Sequence, residues 1–152
     1  MDVKKILSEE LESLRKRIIA NHEAAGQVAS GRTRDSLRVE ATDDEGILFG
    51  RYPFGTLETG RKPGKVPKGF AAIIEQWVKD KGIKPKDPES FPYRVARKIE
   101  KEGTELYRSG KTEDIYSSEI PKTIESIGDR ITGALGIEVE HINLNSNENR
   151  NI

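Results

Sequence analysis

Apolar residues fall at helical spacing near both ends of the chain and alternate between the two. Val3, Leu7, Leu11, Leu14 and Ile18 are separated by 4, 4, 3 and 4 positions; Ile6 widens the stripe, and Glu9, Glu10, Glu12, Arg15 and Lys16 fill the opposite side. That period predicts an amphipathic helix over about residues 2–25, with Asp2 as its N-cap and Gly26 as its stop. Gly31-Arg32-Thr33-Arg34-Asp35-Ser36 reads as a connector, with Thr33 or Ser36 capping a short turn. Leu37, Val39 and Ala41 then alternate with Arg38, Glu40 and Thr42, a half-buried strand. Asp43-Asp44-Glu45-Gly46 is turn chemistry, and Ile47 to Tyr52 completes a β-hairpin.

Three further helices are predicted. Phe70, Ile73, Ile74, Trp77 and Val78 mark one over 69–81, stopped by Gly82. Pro92 suits the first turn of the next, running to Tyr107 with Ala96, Ile99, Gly103 and Leu106 inward; Gly103 there implies close approach of another backbone. Ile120, Ile124, Ile127, Ile131 and Leu135 define the last, about 118–135, with Gly136 as its C-cap. Residues 137–142 alternate as a final strand, and the Asn-rich run 143–152 reads as a disordered polar tail. The expected fold is α+β: a small antiparallel sheet built on the hairpin, packed by a long N-terminal helix and three more. It forms one domain over 1–142.

The stretch from Tyr52 to Lys68 breaks the pattern. Gly55, Gly60 and Gly64 alternate with Pro53, Pro63 and Pro67, a density that disfavours helix and strand and predicts a loop or arm. Tyr52 and Phe54 stand at its start as docking aromatics, Glu58 is its lone acid, and Arg61, Lys62, Lys65 and Lys68 close it.

Composition narrows the function classes. Of 152 residues, 34% are hydrophobic and 34% charged, so the core is thin and association would complete it. The absence of Cys excludes disulfides, thiolate zinc sites and Cys nucleophiles. No run approaches the roughly 18 apolar residues of a membrane span, and Met1-Asp2-Val3-Lys4-Lys5 does not open a secretory signal. A soluble intracellular protein is expected. Formal charge sums to zero but is segregated: residues 61–111 hold 14 cations and 7 anions (+7), residues 112–152 hold 3 and 8 (−5). Such a chain suits head-to-tail contact between copies, or a face turned to a polyanion.

Catalytic signatures are missing. His22 continues the first apolar stripe and His141 sits in the last strand pattern, neither with metal-spaced neighbours. There is no Gly-x-Ser-x-Gly or His-Glu-x-x-His run. Gly60-Arg61-Lys62-Pro63-Gly64-Lys65 has three residues between its glycines where a P-loop needs four, and Val66 replaces the magnesium-binding hydroxyl. Asp43/Asp44 and Glu113/Asp114 lie where acids serve turns and helix starts. No catalytic, cofactor or metal residue is assigned. Arg32/Arg34/Arg38 and the 61–68 cations could follow a phosphate backbone without reading sequence, which keeps a non-specific DNA-associated accessory protein as the alternative.

The order of elements resembles the small tail-completion and head–tail joining (neck) proteins of tailed double-stranded DNA bacteriophages. The resemblance rests on Gly31-Arg32-Thr33-Arg34-Asp35-Ser36-Leu37 before the first strand, and on Tyr52 with Leu57-Glu58-Thr59-Gly60 after the hairpin. It extends to Pro63-Gly64-Lys65-Val66-Pro67 before a Trp-containing helix, and to Ala96-Arg97-Lys98-Ile99 with Gly103-Thr104; it covers about residues 1–135. It implies a non-enzymatic virion protein, assembled in the host bacterial cytoplasm, whose copies form a ring contacting portal or adaptor and tail proteins. In that picture Tyr52, Phe54, Leu57 and Glu58 form the subunit interface, with Glu58 pairing a basic partner. Arg61, Lys62, Lys65 and Lys68 face a DNA lumen or an acidic neighbour.

Overall fold

The computed structural model describes residues 1–148, with side chains for all of these except 52, 53 and 139–148. Helix α1 (Val3–Ala24) is the hub, and Asp2 caps it as its spacing predicts, the carboxylate accepting from Lys5 N at 2.9 Å. A four-residue helix α2 (Arg32–Asp35) leads into β1 (Arg38–Ala41) and β2 (Gly46–Phe49). The strands pair antiparallel, Val39 opposite Leu48 and Glu40 opposite Ile47. Thr42 closes the turn between them: its N–H donates to Glu45 O at 2.7 Å and its hydroxyl accepts from Glu45 N at 3.1 Å.

The hairpin packs on one side of α1 and α6 (Glu119–Glu148) on another. Leu11, Leu14 and Ile18 of α1 meet Leu37 and Ile115 in the core, and Ile115 is fully enclosed. The α+β architecture expected from the period changes is therefore present. α3 (Phe70–Asp80) packs chiefly on α4 (Phe91–Glu102), around Ile74, Val78 and Ala96.

Several boundaries differ from the sequence reading. The helix expected through Tyr107 breaks at Gly103, whose φ of 82° is left-handed, and resumes as the short α5 (Glu105–Ser109). The segment expected to be neither helix nor strand opens with a 3-10 turn at Tyr52–Thr56; Pro53 fits there because the first N–H groups of a helix need no internal acceptor. The strand expected at 137–142 is helix, since α6 runs through Gly136 without a C-cap. Its alternation over six residues is too short to outweigh continuation of a preformed helix, whose propagation is favourable once nucleated. Residues 143–148 of the expected tail continue α6, while 149–152 lie outside the described residues.

Candidate assembly surface

Glu58 is the best-determined polar group in the segment, and it faces inward. It is 8% exposed. Its Oε1 accepts from the backbone N–H of Ile115 at 3.1 Å, Tyr116 at 2.7 Å and Ser117 at 2.7 Å, while its Oε2 accepts from the Ser117 hydroxyl. Its own carbonyl accepts from Glu113 N at 2.8 Å. One carboxylate thus ties the base of the loop to the turn that launches α6. Burial alone would raise its pKa, but the hydrogen bonds from Ser117, Tyr116 and Ile115 outweigh it and hold the carboxyl below the ordinary glutamate value.

Glu58, expected to pair a basic partner on a neighbouring copy, makes these bonds within its own chain. Phe54 and Leu57 likewise pack against the chain's own core, Phe54 with its ring 5.4 Å from that of Tyr116. Gln27 Nε2 donates to Leu57 O at 2.7 Å, so this backbone too is bound inward. The Tyr52 side chain lies outside the described residues.

Two glycines let the loop cross the α4–α5 junction. A Cβ at Gly103 would sit 2.6 Å from Arg61 O, and one at Gly60 would sit 2.6 Å from Tyr107 N. The crossing is sealed by Thr104, whose N–H donates to Arg61 O at 3.0 Å and whose hydroxyl accepts from Arg61 N at 2.9 Å. The close approach inferred at Gly103 is real, and its partner is the loop itself.

The four cations divide. Arg61 folds back, donating to the carbonyls of Gly64 at 3.3 Å and Lys65 at 2.8 Å, with its guanidinium 5.9 Å from the Phe70 ring centroid. Lys62, Lys65 and Lys68 are exposed and make no ion pair among the described residues.

Sequence reasoning missed two apolar surfaces. A groove of about 590 Å³ opens between α3, α4 and α5, floored by Phe70, Ile73, Trp77, Phe91, Ile99 and Leu106. Ile73 is 56% exposed and Trp77 is 39% exposed. The signal was in the sequence: five large apolar residues within nine positions of α3 make a stripe wider than one partner helix covers. The second surface is the outer flank of α6. The helix faces α1 through Thr123, which accepts from Arg17 at 2.7 Å, and through Arg130, which donates to Glu10 at 2.9 Å and Glu9 at 2.6 Å. That rotation leaves Ile124 64% exposed and Leu135 46% exposed.

His22 is buried with Nδ1 3.1 Å from Gln27 Oε1, and the His141 side chain lies outside the described residues. Asp114 accepts from the Ser118 hydroxyl at 2.7 Å, a local turn role. Among the described residues no three His, Cys, Asp or Glu side chains could hold a metal ion, and no helix is long and apolar enough to cross a membrane. A comparison with family models, curated proteins and solved structures finds no match.

Proposed function

We propose that this chain is a structural subunit of a tailed-bacteriophage virion, forming a ring at the neck or the top of the tail, with no catalytic step of its own. The observation that carries the reading is the placement of large apolar residues on the outside of well-formed helices. Ile73, Trp77, Ile120, Ile124 and Leu135 are all at least 39% exposed in a chain with a small core. Contiguous exposed apolar surface mostly marks association. The motif resemblance in residues 31–37 and 52–60 and the segregation of charge point the same way. Deleting the gene from the genome that carries it, then imaging the lysate, tests the reading. Separate filled heads and separate tails are expected; joined, infectious particles would refute it.

Lys62, Lys65 and Lys68, exposed on one loop and without an ion pair among the described residues, favour a second use, contact with DNA phosphates. Three phosphate contacts give a log–log salt slope of about −2.7 on random duplex DNA. Binding that is absent at low salt would leave these lysines to an acidic protein surface.

A further inference from the structure

We infer that the groove between α3, α4 and α5 receives the outer flank of α6 from a second copy of this chain, a head-to-tail contact. The inference rests on the ring reading above and names the surfaces that would close it. Three observations carry it.

First, the two surfaces are unlike and lie on different elements. The chain's own α6 is committed to α1 through Thr123 and Arg130, so its outer flank is left for another molecule. Second, their shapes suit each other. On a helical wheel Ile124, Ile131 and Leu135 fall on one narrow strip, with Gly128 beside it. Among the described residues nothing lies within 4 Å of where a Gly128 Cβ would stand, so a partner could approach the α6 backbone closely there. A groove floored by Trp77, Phe70 and Leu106 offers the flat apolar bed that such a strip fits.

Third, the charges are complementary. The groove belongs to the segment with net charge +7 and α6 to the segment with net charge −5. Locally, Lys98 is exposed on the groove wall without an ion pair among the described residues, beside Arg108, with Glu105 the opposing acid. Glu125 and Asp129 are exposed on α6, also without an ion pair among the described residues. Opposite signs on one chain favour a second copy over an unrelated partner. Two unlike patches on one chain make a heterologous contact, which propagates until it closes into a ring or extends as a filament.

The test uses two single variants of the full chain, Ile73→Asp in the groove and Ile124→Asp on the flank, each at a side chain already more than half exposed. Sedimentation up to about 1 mM is the readout, with circular dichroism as the folding control. Wild type should self-associate, and each variant should remain monomeric with association weakened at least tenfold, equal to about 1.4 kcal/mol. Mixed together, the variants should form a one-to-one dimer and nothing larger, because only one intact groove and one intact flank remain. If a variant fails to fold, Trp77→Ser and Leu135→Ser replace the pair. Wild-type assembly that neither variant weakens would overturn the groove–flank contact and leave the ring reading standing. A wild-type chain monomeric throughout that range would also overturn the contact, and the particle images would then decide the ring reading separately.

Discussion

Replacing Glu58 probes whether the segment is anchored from within or waits for a neighbour. Glu58→Ala removes the acceptor of three backbone N–H groups and one hydroxyl. The Ile115 N–H belongs to a residue with no exposed surface, so its loss of a partner costs about 1–3 kcal/mol. The Tyr116 N–H lies at a half-buried residue and the Ser117 N–H at an exposed one, where water can replace the carboxylate, adding about 0.5 kcal/mol each. Truncation of a side chain that is 8% exposed adds a small cavity. Allowing for non-additivity, the loss is about 3 kcal/mol, a large share of the roughly 5–15 kcal/mol typical of a domain. The midpoint of thermal unfolding should fall by about 6–12 °C, read by circular dichroism on monomeric protein. Glu58→Gln keeps the shape and a neutral acceptor and should lose about 1 kcal/mol. The pH dependence has a definite sign. The folded-state pKa is lowered, so the carboxylate's stabilisation is present above the unfolded value of about 4.3 and is lost as pH falls through the folded value. The wild-type advantage over Glu58→Gln should therefore hold at pH 7 and shrink below about pH 4. A Glu58→Ala chain within about 0.5 kcal/mol of wild type would refute the internal latch.

Other perturbations separate strong contacts from weak ones. Gly103→Ala forces a side chain into a left-handed φ of 82° and against Arg61 O, and should cost about 2–4 kcal/mol in urea unfolding. Arg130→Ala removes ion pairs to Glu9 and Glu10 from a side chain that is 37% exposed, and should lower the urea midpoint less than Gly103→Ala does, with the difference from wild type shrinking in high salt. Changing Lys62, Lys65 and Lys68 together to Ser should leave unfolding within about 0.5 kcal/mol and flatten any salt dependence of random-DNA binding by nearly three units of slope, measured by fluorescence anisotropy.

What could be read from the sequence was whatever a local period or a single residue's stereochemistry decides. The α1 stripe and its Asp2 cap, the alternating hairpin around Asp43-Asp44-Glu45-Gly46, and the backbone approach at Gly103 were all legible for that reason. The end of α6 was not, because six alternating residues fit both a strand and one side of a helix. Nor was the rotation of α6. Its isoleucine stripe predicts which residues are apolar, but Thr123 and Arg130 reach α1 instead, since Arg17, Glu9 and Glu10 supply partners that only tertiary placement brings together. Glu58 stood out as the lone acid of its loop, yet its acceptors' donors lie about 57–59 positions away, a pairing no local rule exposes.

The placement of polar groups explains how so charged a chain can present fixed surfaces from a small core. Glu58 pins the middle of the loop to the turn before α6, and Thr104 with the Gly60 and Gly103 contacts pins the adjoining Gly60 and Arg61 to the α4–α5 junction. Each anchor closes on backbone groups, whose geometry the fold already determines, so only the Glu58 and Thr104 side chains must be ordered to make it. Beyond the second anchor the loop holds Lys62, Lys65 and Lys68 in water, and the same junction forms one end of the apolar groove. Loosening either anchor should therefore disturb cations and groove together, while changes at the groove floor should leave the cations in place. That asymmetry follows from where the hydrogen bonds lie: the anchors are shared by both surfaces, and the floor of the groove belongs to one.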